Sequence, residues 1–104
     1  MEGYPKLKDE VLDMELIVTP SALSCFKGEW GIADGETVRV FVRYVSGGEL
    51  PFAFGITRDT PIDAAVTTVA DRVTFYMESK DVWFLEGRSL RIDCRGEDIV
   101  FQFS

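Results

Sequence analysis

The sequence predicts an α+β fold, mainly β, with short mixed strands and one N-terminal helix. Three observations carry this. A helix-entry signal followed by apolar residues at helical spacing occurs once, between Thr19 and Trp30. From Thr37 onward the apolar period switches to two. Glycine- and aspartate-containing turn signals then recur at short intervals to the last residues.

Residues 1–13 are charged and show no β alternation. They read as an N-terminal leader or as a short helix placing Leu7, Val11 and Leu12 on one side, with the main domain spanning 14–104. Leu16-Ile17-Val18 is a short strand. Thr19-Pro20 supplies an N-cap hydroxyl and a proline at the first helical position. Ala22, Leu23, Phe26 and Trp30 are expected to face the core, and Gly31 and Asp34-Gly35 to end the helix and turn the chain. Val38, Val40, Val42 and Tyr44 share one face of the next strand. Ser46-Gly47-Gly48 breaks it, and Phe52, Phe54 and Ile56 form the inward row of its successor. Residues 60–65 are expected to be irregular or a single turn, and Val66–Val69 and Val73–Met77 to form a hairpin around Asp71-Arg72. Val82-Trp83-Phe84-Leu85 is too continuous for periodicity to decide. Leu90, Ile92 and Cys94 alternate with charged residues, and a turn at Gly96-Glu97 precedes Ile99, Phe101 and Phe103.

Composition excludes several functions. The formal charge is −7, so phosphate backbones and anionic lipid are repelled; neither nucleic acid nor membrane is expected as a partner. No apolar run reaches the ~20 residues that span a bilayer, and the first residues lack the apolar stretch of a signal peptide, so a cytoplasmic location is expected. With no histidine, Ser-His and Cys-His triads cannot form. Two cysteines cannot complete a four-ligand zinc site, and no phosphate-binding glycine motif is present. The acidic residues sit mainly at turns, where solvation explains them. No catalytic residue and no cofactor are therefore assigned. Cys25 and Cys94 read as small buried hydrophobes.

One segment departs from plain packing. Consecutive glycines between two aromatic-rich strands free the backbone to approach a ligand closely. Tyr44, Ser46, Gly47, Gly48, Glu49 and Phe52 are accordingly the candidate partner-binding loop, the alternative being a simple hairpin connection.

Three segments also resemble a known family. Leu16-Ile17-Val18-Thr19-Pro20-Ser21-Ala22 is similar to the opening of HesB/IscA-like iron–sulfur cluster biosynthesis proteins. Val38 to Tyr44, the glycine loop and Phe52-Ala53-Phe54-Gly55-Ile56 resemble that family's central hairpin. Asp81-Val82-Trp83-Phe84-Leu85-Glu86-Gly87 with Leu90-Arg91-Ile92 resembles its acid-glycine corner, most closely in the small firmicute-type branch. The resemblance covers 14–104 and implies a HesB-like fold. It also implies cysteine ligands in the glycine loop and in a C-terminal Cys-x-Cys. Ser46-Gly47-Gly48 and Phe101-Gln102-Phe103-Ser104 offer none of them. Thiolates are what iron–sulfur clusters require. The expectation is thus an iron–sulfur-biogenesis-related protein without cluster ligands, a non-catalytic binding or adaptor module with an unidentified protein partner, monomeric or weakly dimeric. The alternatives are a weak iron binder using carboxylates such as Glu49 and Asp59, and an enzyme of unknown type.

Overall fold

Thr19 starts the helix as its sequence predicts: its hydroxyl accepts from the Ala22 N–H at 3.1 Å, and Pro20 follows in the first turn. The computed structural model describes residues 14–47 and 52–104. Among them are strand β1 (Leu16–Val18), helix α1 (Pro20–Gly28), and strands β2 (Thr37–Tyr44), β3 (Phe52–Arg58), β4 (Ala64–Ala70) and β5 (Val73–Glu78). A 3₁₀ helix (Val82–Leu85) and strands β6 (Leu90–Arg95) and β7 (Asp98–Phe103) complete the chain. The α+β, mainly β class is therefore observed. The leader expected at 1–13, with Leu7, Val11 and Leu12, lies outside the described residues.

The strands form two mixed sheets, ordered β1-β6-β7 and β3-β2-β5-β4. In the first, β1 runs parallel to β6 with Val18 opposite Ile92, and β6 and β7 are antiparallel. In the second, β2 runs antiparallel to β3 and parallel to β5, which pairs antiparallel with β4. Alternation directs Val38 and Val40 of β2, Val73, Phe75 and Met77 of β5, and Leu90 and Ile92 of β6 into one core. Helix α1 closes it with Ala22 and Phe26, and the Phe26 ring meets Phe75 at 5.2 Å between centroids.

Several expectations shift in physical detail. The helix ends at Gly28, where the Glu29 N–H closes on the Cys25 carbonyl, so Trp30 falls beyond it. Trp30 stays 37 % exposed and only leans edge-on against Phe26, where the helical spacing had placed it in the core. Strand β4 begins at Ala64, inside a stretch expected to be irregular. The ambiguous Val82–Leu85 is a 3₁₀ turn. Cys25 is buried, but Cys94, expected in the inward row, is half-buried, its thiol turned to the Gly96 carbonyl at the strand's end.

The β4–β5 hairpin turns at Asp71-Arg72 as expected, with both residues at positive φ (50° and 70°). That region is unfavourable for non-glycine residues, so something must hold it. Lys27 of α1 does so, donating to the Asp71 carbonyl at 3.0 Å and to its carboxylate at 2.8 Å while also reaching Asp34 at 2.8 Å.

Three carboxylates sit below their ordinary pKa in the fold. Glu36 is lowered chiefly by the Ala33 N–H, Asp71 by Lys27, and Asp93 by the Thr19 hydroxyl at 2.7 Å and then the Cys94 N–H. The unfolded chain therefore binds more protons in the carboxylate range. Their contribution is complete above the unfolded values and lost as pH falls through the folded ones. The melting temperature should hold on acidification from neutrality and then drop below about pH 4. Asp93→Asn should flatten that drop. A melting temperature that stays level through the acid range would show that these contacts do not matter in solution.

Candidate functional site

A row of partly exposed aromatic residues gathers at one edge of the molecule, where the two sheets and the 3₁₀ helix meet. Tyr44, at the end of β2, pairs across the strands with Phe52 at the start of β3. Their rings meet edge-on at 5.9 Å. Phe52 continues the chain of contacts to Trp83 at 5.4 Å and Phe84 at 5.9 Å, both on the 3₁₀ helix. Phe84 touches Phe54 at 5.1 Å, and Phe54 reaches Phe101 and Phe103 of β7 at 5.2 and 5.9 Å. The mostly edge-on geometries are those that aromatic quadrupoles favour. The guanidinium of Arg88 stacks 3.6 Å over Phe103 and closes the row.

The outer rings remain in solvent: Tyr44 is 75 % exposed, Trp83 54 % and Phe103 41 %. Isolated exposed aromatics are ordinary, whereas a connected row with large exposure is a candidate for an interaction surface.

The 3₁₀ helix owes its position to Asp81 and Leu85. Leu85 is fully buried and pins the far end of the turn. Asp81 turns its carboxylate away from the turn, to the Arg39 guanidinium at 2.9 Å and toward the Val42 N–H at 3.5 Å. That hydrogen bond raises the pKa of Arg39, outweighing burial. Glu86, at φ 53°, then closes the turn onto the Trp83 carbonyl. Trp83 is left pointing outward beside Phe52 while Val82 and Leu85 face in.

Of the loop residues expected to bind a partner, Tyr44 and Phe52 join this edge. Ser46 and Gly47 lie exposed beside it, and Gly47 adopts φ 87°, a conformation suited to glycine. Gly48 and Glu49 lie outside the described residues. Sequence reasoning missed Trp83, Phe84, Phe103 and Arg88 as members of the site. The available signal was the high aromatic content (eight Phe, three Tyr and two Trp) with several rings placed at strand ends and in the ambiguous Val82–Leu85 segment. Asp59, named as a carboxylate for iron, instead accepts from the Thr60 N–H and lies 3.9 Å from Arg39. Among the described residues no three histidine, cysteine, aspartate or glutamate side chains come together in a metal-holding group. No helix among them is long and apolar enough to cross a membrane.

No family model matches the chain. A protein of Bacillus subtilis (strain 168) named pyruvate dehydrogenase inhibitor is 35 % identical to it over 94 residues, covering 86 % of this chain and 99 % of that relative. This finding overturns the expected HesB/IscA-like family and, with it, the expected role in iron–sulfur biogenesis; the weak iron-binder and the enzyme of unknown type gain nothing from it either. The physical reason is that short alternating strands joined by glycine turns are demanded by β geometry itself. Three such segments in order are weakly specific to any one family.

Proposed function

The chain belongs to the family of the Bacillus subtilis pyruvate dehydrogenase inhibitor, and we propose that it inhibits pyruvate dehydrogenase by binding one of its protein components. The action is stoichiometric and non-catalytic, and it takes place in the cytoplasm. The observation that carries the reading is the aromatic edge, where Tyr44, Trp83 and Phe103 stand in solvent on a scaffold already fixed by Phe52, Phe54 and Phe84. Rigid aromatics that are packed on one side lose little conformational entropy when a partner covers the other. A net charge of −7 further favours a basic rim around the partner's apolar pocket and speeds their encounter.

The test uses purified pyruvate dehydrogenase from the same cell. Added in excess, the wild-type protein should suppress turnover, and Trp83→Ala or Tyr44→Ala should weaken inhibition by roughly tenfold or more while melting as the wild type does. No inhibition by the wild-type protein would end the functional reading. Inhibition unchanged in both variants would keep the function and move the contact surface elsewhere.

A further inference from the structure

Cys25 and Cys94 are far apart in sequence and meet at one place. Cys25 lies on the face of α1 turned to the β6–β7 hairpin, and Cys94 near the end of β6. The Cys25 thiol points to the Glu97 carbonyl at 3.9 Å and the Cys94 thiol to the Gly96 carbonyl at 3.3 Å. These carbonyls belong to consecutive residues of one turn, so the two sulfurs converge on it from opposite elements. Both cysteines line the same open groove of about 470 Å³, floored by Ser21, Ser24 and Gly28. Both are free thiols.

We propose that Cys25 and Cys94 form a reversible intramolecular disulfide, an oxidative modification site that draws its oxidising equivalents from a low-molecular-weight disulfide. The two thiols play different parts. Burial, and next the hydrogen-bonding Cys94 thiol, push the Cys25 pKa up to about 11, so Cys25 stays protonated at neutral pH. Cys94 is half-buried with its sulfur reachable from solvent, and its thiolate makes the first attack. It bonds to one sulfur of the small disulfide and expels the other half as a thiolate. Cys25 gives its proton to that thiolate and attacks the Cys94 sulfur, releasing the second half as a thiol once protonated. Two protein thiols are oxidised, one small disulfide is reduced to two thiols, and the new bond ties α1 to the β6–β7 turn. The site lies at the turn end of that hairpin, opposite the end carrying Phe103, and stands independently of the inhibitor reading.

The experiment takes the full chain, fully reduced, and incubates it with glutathione disulfide in the absence of oxygen. Free thiols are then alkylated and the intact mass measured. The expected product is a monomer lighter by two hydrogens, with no alkyl group and no glutathione, restored to two alkylatable thiols by dithiothreitol. Cys25→Ala should instead trap a glutathione adduct on Cys94. Wild-type chains carrying glutathione, disulfide-linked dimers, or two alkylated thiols would each overturn the proposal. An unmodified Cys94 in Cys25→Ala would overturn the assigned order of attack.

Discussion

Phe26→Ala is expected to cost about 3–5 kcal/mol, the usual range for truncating a fully buried phenylalanine. Phe26 has no exposed surface and is the ring through which the helix reaches the larger sheet. It meets Phe75 of β5 at 5.2 Å and supports Trp30 edge-on at 5.2 Å. A nine-residue helix gains little stability from its own hydrogen bonds and depends on such packing. Since whole domains are stable by only about 5–15 kcal/mol, the variant should lose a large part of its folding free energy. Urea unfolding should show a midpoint well below that of the wild type with an unchanged slope. Phe26→Leu, which refills most of the volume, should recover much of the loss. A midpoint shift worth less than about 1 kcal/mol in Phe26→Ala would mean that α1 is not packed against β5 as described.

The helix was legible in the sequence because its start is chemical: Thr19 and Pro20 each supply a group that the first turn requires. Its end was legible as well: the regular helix closes at Gly28, and Gly31 at φ 68° then turns the chain, with the Ile32 N–H donating back to the Phe26 carbonyl at 2.9 Å. Strands β2, β5 and β6 were readable from their alternating rows, since Val38, Val40, Phe75, Leu90 and Ile92 have no exposed surface. Val82–Leu85 was not readable. Four consecutive apolar residues fit a strand or a tight turn equally well, and the deciding contact, Asp81 with Arg39, spans 42 positions. The site was half visible for the same reason. Tyr44 and Phe52 flank one loop and announce themselves together, whereas Trp83, Phe84 and Phe103 arrive from elements whose meeting is set by the packing of two sheets. The iron–sulfur likeness rested on local strand and turn patterns that any twisted β hairpin shares.

Asp81→Ala is expected to destabilise the fold by about 2–4 kcal/mol and to weaken inhibition beyond what that loss explains. The Asp81 side chain is 9 % exposed and that of Arg39 18 %, so the pair is largely withdrawn from water. Among the described residues, removing the carboxylate leaves the Arg39 charge with the Asp59 oxygen at 3.9 Å, the Phe41 ring at 5.5 Å and the field of Glu78. It also deprives the Val42 N–H of its side-chain acceptor. Breaking a buried pair by deleting one partner typically costs about 3–5 kcal/mol, and partial exposure brings the expectation somewhat lower. The functional effect follows from position, because Asp81 immediately precedes the turn that aims Trp83 at Phe52. Without it, only apolar contacts of Val82, Phe84 and Leu85 hold that turn, and the aromatic edge loses part of its fixed geometry before a partner arrives. The double variant Arg39→Met/Asp81→Leu separates the two consequences, since replacing both ions by apolar groups removes the stranded charge. Its stability should return close to that of the wild type. Its inhibition should recover with it only if apolar packing can hold the turn as the ion pair does. A cost below about 0.5 kcal/mol in Asp81→Ala, a level typical of ordinary surface changes, would show that the pair does not hold the 3₁₀ turn and that the apolar contacts of Val82, Phe84 and Leu85 suffice.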